Sequence, residues 1–153
     1  GRFEFGADVV LDATSESGAV GSTDNGDNLV QRGLFDDLSQ YKLQLDARRP
    51  SCRVKGSVGA VFVTASMSVQ PGRWYRVRCV RDGSTVSIAV TTWADDGTPT
   101  VVTRSATGPT GDMAPSRPTV PLSIGGKLSA SGESVTSTDQ LNGVVDNVVL
   151  RTD

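Results

Sequence analysis

The sequence predicts an all-β protein folded as a two-sheet antiparallel sandwich, and three observations carry that reading. The stretch GRWYRVRCVRDGSTVSIAV, Gly72 to Val90, alternates apolar residues with arginines, turns at Asp82-Gly83 and alternates again, as a half-buried β-hairpin does. No apolar period of 3.6 residues persists over three helical turns. Short alternating segments recur instead, set apart by turn residues, and the 17 glycines and 7 prolines supply the punctuation of many short strands.

Taken in order, Arg2 to Leu11 reads as a first strand, with Phe3 and Phe5 on one face and Val9, Val10 and Leu11 at its end. Asp12 to Asn28 is rich in Ser, Thr, Gly and Asp and closes in the turn-forming run Asp24-Asn25-Gly26-Asp27-Asn28. Leu29 to Arg32 is a short strand, and Gly33 to Gln40 a loop carrying Asp36 and Asp37. Tyr41 to Asp46 places Tyr41, Leu43 and Leu45 on one face and Lys42 and Gln44 on the other. Cys52 to Lys55 and Ala60 to Ala65 are two more strands. Pro71-Gly72 turns into the strand Arg73 to Val80, and Thr85 to Trp93 returns from the Asp-Gly hairpin. Asp95-Asp96-Gly97 then turns into Thr100 to Arg104. Thr107 to Thr119 is a Pro- and Gly-bearing loop, and Leu122 to Ile124 and Leu141 to Leu150 close the chain as strands.

A length of 153 residues suits one domain, residues 1–153, with a sizeable core. No internal repeat or second boundary interrupts it. At 37% hydrophobic and 21% charged, the composition is neither that of a disordered chain nor that of a membrane chain. The longest apolar run, Val58 to Val63, is too short to span a bilayer. A net charge of −2 gives no global drive toward nucleic acid or an anionic membrane. The chain opens on Gly1 rather than Met, as a processed or excised segment would. Histidine is absent, which removes Ser-His-Asp and Cys-His catalysis, His-ligated zinc and histidine general bases.

The two cysteines, Cys52 and Cys79, each lie in an alternating strand with a valine two residues away on the same face. Two buried free thiols and one disulfide both fit that placement. The extracellular-looking composition favours the disulfide, and with it an oxidising compartment.

The order of segments NLVQRG, YKLQLD, GRWYRVRCVRDG, PLSIGGK and LNGVVDNVVL resembles the laminin G-like family of the concanavalin A-like jelly rolls. Trp74, Asp82-Gly83, Ile124-Gly125-Gly126, Gly143, Asp146 and Val148 stand at the matching places. The resemblance implies a jelly-roll fold and a core position for Trp74. It also implies that Cys52 and Cys79 form the disulfide of bacterial secreted members. It further implies a structural calcium ion, the only cofactor expected, with Asp146 and the loop around Gly26 as the matching positions. Asp24, Asn25, Asp27 and Asn28 offer the oxygen donors calcium favours. The alternative is that Asp146 hydrogen-bonds a neighbouring loop while the Asp/Asn run makes a turn.

Two further ligand sites follow from the residues. If Cys52, Val54, Val77 and Cys79 face the core, alternation turns Arg53, Lys55, Arg76 and Arg78 outward. A disulfide would bring these cations together as a basic stripe for a sulfated or carboxylated glycan; the competing reading is a solvated face balanced by carboxylates. Trp93 and Tyr41 are the rings left for stacking on a sugar, although a lone edge Trp also serves to cover a gap in a core. Glu4, Glu16 and Glu133 are isolated, and Asp36-Asp37 and Asp95-Asp96 are adjacent pairs. None forms the closely spaced carboxylate pair that glycosidic cleavage requires. The expectation is a non-catalytic, secreted or cell-surface binding or adhesion module, monomeric within a larger bacterial chain, that takes a carbohydrate. The alternative is a structural or protein-interaction domain with no affinity for sugars.

Overall fold

Alternation along the chain resolves into ten strands in a computed structural model that describes residues 1–13, 26–114, 120–135 and 139–153. They are β1 (Arg2–Leu11), β2 (Asp27–Arg32), β3 (Gln40–Asp46), β4 (Arg49–Lys55), β5 (Ala60–Thr64), β6 (Trp74–Asp82), β7 (Thr85–Trp93), β8 (Pro99–Thr107), β9 (Leu122–Ile124) and β10 (Gly143–Thr152). They form two five-stranded sheets of order β10-β1-β6-β7-β8 and β5-β4-β3-β2-β9. Every strand pair is antiparallel. The expected all-β sandwich is the observed one, with no helix among the described residues.

The core lies between the inward faces. Phe5, Ala7, Val9 and Leu11 of β1, Tyr75, Val77 and Cys79 of β6, and Val86, Ile88 and Val90 of β7 supply one side. Leu29, Val30, Leu43, Leu45, Cys52, Val54, Val61 and Val63 supply the other. Strand side chains repeat every second residue, so these are alternate members of each regular run; Leu29 and Val30 are neighbours because β2 breaks register between Asn28 and Val30. Cys52 and Cys79 are bonded, with Cα atoms 6.1 Å apart, and both are buried. Cys52 belongs to β4 and Cys79 to β6, so the disulfide joins the two sheets through the core. Its 27-residue loop is worth about 3.5 kcal/mol in the chain-entropy model.

That bridge corrects the basic stripe. Residues flanking a bond that crosses the core point out of opposite sides of the sandwich. Arg53 and Lys55 face outward from the β4 sheet, and Arg76 and Arg78 from the β6 sheet.

The position of Trp74 is corrected as well. Tyr75, Val77 and Cys79 point inward, so Trp74 shares its parity with Arg76 and Arg78 and is 45% exposed. Strand parity outweighs the core position that the resemblance implied.

Two hairpins show how turns set register. Asp82 pairs with Thr85, leaving the two-residue loop Gly83-Ser84 with Gly83 at a φ of 57°, a value glycine adopts without steric cost. Asp46 pairs with Arg49 around Ala47 and Arg48, at φ values of 48° and 63°. Neither residue carries the usual signal for such a turn. At the outer edge, β10 bulges. Gly6 pairs with Val149 and Asp8 with Asp146, and Asn147, at a φ of 47°, takes up the extra residue, as bulges re-aim side chains.

Candidate functional site

The outward face of the β5-β4-β3-β2-β9 sheet carries a groove of about 350 Å³ lined by Gln31, Phe35, Gln40, Lys42, Gln44, Ser51, Arg53, Phe62 and Lys127. Parity places the lining. On β3, Leu43 and Leu45 take the core, so Gln40, Lys42 and Gln44 take the groove; on β4, Cys52 and Val54 take the core, so Ser51 and Arg53 face out. Phe62 of β5 stands opposite Arg53 and is half-exposed.

Most of the groove's polar groups are held by the protein. Asn28 Nδ2 donates to Gln31 Oε1 (2.8 Å), and Gln31 Nε2 donates to the Gly33 carbonyl (2.8 Å). Gln40 Nε2 donates to the same carbonyl (3.1 Å), and Arg53 donates to Gln40 Oε1. The Arg53 guanidinium also lies 4.5 Å from the centre of the Phe35 ring, a cation–π distance. Lys55 Nζ donates to the Phe35 carbonyl (2.8 Å) at the exposed rim.

Two groups are not held. Gln44 and Ser51 face each other across β3 and β4, are 8% and 1% exposed, and no donor or acceptor among the described residues meets Gln44 Oε1 or Ser51 Oγ. A buried polar atom left this way costs about 1–3 kcal/mol.

Charge is concentrated beside them. Lys127 Nζ lies 2.9 Å from Asp139 Oδ2, and Lys42 Nζ lies 4.0 Å from Asp139 Oδ1. Arg53 adds a third cation to the same groove. Burial pulls the Lys42 ammonium down to about 8; Asp139 opposes the shift, and Lys127 and Arg53 add to it. The lining contains no Asp or Glu among the described residues.

The opposite face of the sandwich is organised around Asp8. Its carboxylate is nearly buried and accepts from Arg76 Nε and Nη2 (both 2.8 Å), Arg78 Nη2 (3.1 Å) and Asn147 Nδ2 (3.0 Å). Burial pushes the Asp8 carboxyl up, but the hydrogen bonds from Arg76 and Asn147 and the charges of Arg78 and Arg76 outweigh it and hold it below the usual value. Arg78 reaches Asp8 by crossing β1 at Gly6, where a methyl group would lie 2.9 Å from Arg78 Cδ and would collide with the Val77 carbonyl.

The expected site residues are thus distributed as follows. Arg53 lines the groove, and Lys55 stands at its rim. Arg76 and Arg78 belong to the Asp8 network on the far face. Tyr41 packs inward against Phe3 and Phe5, with ring centres 4.9 and 5.0 Å away, so it is no open stacking platform. Trp93 is partly exposed on the Asp8 face, under the Arg76 guanidinium at 5.6 Å.

Asp146, the position matched to a calcium ligand, is exposed, because it lies out of parity with Val145, which faces core Val9; the buried carboxylate opposite it is Asp8. Asp146 Oδ1 accepts from the Asn147 backbone N–H (2.7 Å). Gly26 and Asp27 open β2 in the other sheet, and Asp24 and Asn25 lie outside the described residues. No group of three or more Cys, Asp and Glu converges among the described residues. The described members of the calcium set therefore do not fit one shell of six to eight oxygens.

The groove residues Gln31, Phe35, Gln40, Lys42, Gln44, Ser51, Phe62 and Lys127 were not among the expected site residues. For Lys42 and Gln44 the signal was present in the alternation of Tyr41 to Asp46.

Residues 29–153 match the family model described as "Laminin G domain". The chain belongs to the laminin G domain family, whose members are generally binding modules. No curated protein matches the chain. Among solved structures, the LG1-3 region of the laminin alpha2 chain superposes with a TM-score of 0.69 at 11% identity, over 97% of this chain and 26% of that one. Domains LG4-5 of the mouse laminin alpha1 chain give 0.64 at 14% identity, over 97% and 35%. The enzymatically active domain of tailspike protein 2 from bacteriophage CBA120 gives 0.55 at 14%, over 96% and 21%. The chain thus spans about a quarter to a third of the laminin chains it superposes on, and at these identities the likeness shows the fold.

Proposed function

We propose that this laminin G domain is a non-catalytic extracellular binding module whose groove takes an acid-bearing glycan. The observation that carries the reading is the pair of buried, unmet groups, Gln44 Oε1 and Ser51 Oγ, in a groove whose cations outnumber its carboxylates. A sugar hydroxyl donating to Gln44 Oε1 and another bonding Ser51 Oγ would supply the missing partners. Lys42, Lys127 and Arg53 would meet a carboxylate or sulfate, and the rings of Phe35 and Phe62 would border the sugar.

The non-catalytic reading is supported by the lining itself. Glycosidic cleavage uses two facing carboxyl groups, and the groove presents none among its described residues. On the far face, Asp8 is held ionised by two arginines, which leaves it unfit to donate a proton. The disulfide supports an extracellular setting, and bacterial origin is part of the same proposal. Calcium is not used in this reading.

Isothermal titration against polyuronate and sulfated oligosaccharides, with neutral oligosaccharides as controls, tests it. The acidic series should bind, weaken as salt rises, and lose at least about tenfold in affinity in Lys42→Gln and in Arg53→Gln. Equal binding of acidic and neutral sugars, or binding indifferent to both substitutions, would overturn it.

A second reading, as a protein-interaction domain, has its own observation. The edge strand β10 exposes Val144, Val148 and Leu150, and an exposed apolar edge is a surface on which another chain can pair.

A further inference from the structure

The face opposite the groove holds a second cleft, of about 220 Å³, lined by Asp8, Trp74, Trp93, Asp146 and Asn147. We propose that this cleft is a separate subsite for a neutral pyranose, stacked on the Trp74 indole and hydrogen-bonded by Asp146 and Arg76.

Three independent features build it. First, the cleft is aromatic where the surrounding face is polar. Trp74 is 45% exposed, and the Trp93 ring is held in place beneath Arg76. A pyranose presents an apolar C–H face to such a ring and its hydroxyls to the sides, a combination that amphipathic aromatic surfaces accommodate. Second, Asp146 pairs with Asp8 across β10 and β1 and shares its outward face, and among the described residues only the neighbouring backbone N–H engages it. No cation among the described residues pairs with it, so Asp146 Oδ2 is free to accept a hydroxyl. Third, Arg76 is prepositioned at the margin of the cleft, against two of its lining residues, Asp8 and Trp93. Its Nε and Nη2 are spent on Asp8, which fixes the guanidinium plane and leaves Nη1 to donate. A donor and an acceptor thus flank an aromatic floor, the donor fixed by the buried Asp8 and the acceptor by the Asn147 backbone N–H.

Charge selects the ligand class. Asp8 and Asp146 balance Arg76 and Arg78, so the cleft attracts neither an acid nor a base. A cationic side chain from a partner would meet Arg76 already over the Trp93 ring. An acidic sugar would meet Asp146. A neutral, hydroxyl-rich ring is opposed by neither. This differs from the groove, where cations are in excess.

The protein carries its own reporter. Both of its tryptophans line this cleft, and none lines the groove. Intrinsic fluorescence therefore reads occupancy of the cleft apart from the groove. The experiment titrates the protein at millimolar concentrations with neutral gluco-, manno-, xylo- and galacto-oligosaccharides and with the acidic series. The expected result is a saturable emission change with at least one neutral oligosaccharide. Affinity for it should fall about tenfold in Trp74→Ala and similarly in Asp146→Asn, and should be unchanged in Lys42→Gln. Both substituted side chains are exposed, and circular dichroism of each variant checks that it folds.

A silent emission signal with every neutral sugar would overturn the proposal, as would an affinity that Trp74→Ala and Asp146→Asn leave intact. A response to the acidic sugars alone would do the same. Loss of calorimetric binding to the groove with the fluorescence response retained would overturn the groove reading and leave the cleft standing. The reverse pattern would do the opposite.

Discussion

Replacing Lys42 with methionine should stabilise the protein at neutral pH while removing its acidic ligand. Lys42 titrates at about 8 in the fold, against 10.5 for the free side chain. At pH 7 it is charged in both states, and the fold carries the cost of holding an ammonium beside Lys127 and Arg53 with only a 4.0 Å approach to Asp139 as relief. The gap between the two values corresponds to about 3 kcal/mol. Methionine fills the same channel without the charge, and Asp139 retains Lys127 at 2.9 Å. The variant should therefore gain up to about 3 kcal/mol at pH 7, on the order of 10 °C in Tm.

The sign of the pH dependence follows from which state holds the proton. Between about 8 and 10.5 the unfolded chain binds it and the folded chain does not, so wild-type stability rises across that window from this residue. The advantage of Lys42→Met should shrink over the same window and vanish above it. Urea denaturation at pH 7, 9 and 10.5, with wild type and variant side by side, measures this. A variant that is no more stable at pH 7, or whose gain persists undiminished at pH 10.5, would refute the reasoning. Binding is linked to the same proton. An acid group in the groove favours the ammonium, so titration at pH 8 should take up about half a proton per ligand in the wild type and none in the variant.

Other perturbations test the frame. Asp8→Asn should cost about 2 kcal/mol at neutral pH, because it leaves Arg78 under-compensated, while Arg76, which reaches solvent, limits the loss. Since the Asp8 carboxyl is held below its usual value, its contribution is complete above the free value and is lost as pH falls through the folded one; the gap between variant and wild type in acid melts should close in that direction. Substituting Ala47→Asn and Arg48→Gly relieves two residues at positive φ and should raise stability by about 1 kcal/mol each, read by thermal unfolding. No gain would mean that this hairpin holds no backbone strain.

Much of the fold was legible because strand parity is a strict period of two. Tyr41, Leu43 and Leu45 point inward as their alternation required, and Leu122 to Ile124 is a strand with the expected bounds. Parity also carried more than was drawn from it. The alternation that turned Arg76 outward turns Trp74 outward, and the alternation that turned Lys42 and Gln44 away from the core builds the groove. What parity does not carry is which strands share a sheet. Cys52 and Cys79 looked like neighbours on one surface, and only the sheet order shows that their bond runs through the core. The bulge at Asn147 was equally hidden. One inserted residue brings the Asn147 amide onto Asp8, and no local composition marks it. The hairpin at Ala47-Arg48 escaped because its residues are not those that favour positive φ.

The division of arginines between the two faces yields the sharpest separation of the two sites. On a single basic stripe, Arg53, Arg76 and Arg78 would contribute alike to holding an acidic glycan. In the sandwich observed, Arg53 stands in the groove, while Arg76 and Arg78 are turned to the opposite face and paired with Asp8. At physiological ionic strength the screening length is about 8 Å, shorter than the roughly 10 Å between packed sheets, so their charges barely reach the groove. Arg53→Gln should therefore lower both the affinity for a polyuronate oligosaccharide and the steepness of its salt dependence. Arg76→Gln with Arg78→Gln should leave both unchanged, even though that pair removes the larger charge. Salt titrations of the two variants compare one charge against two. If the distal pair proved the more damaging, the glycan would have to lie across the Asp8 face, and the assignment of the acidic ligand to the groove would fall.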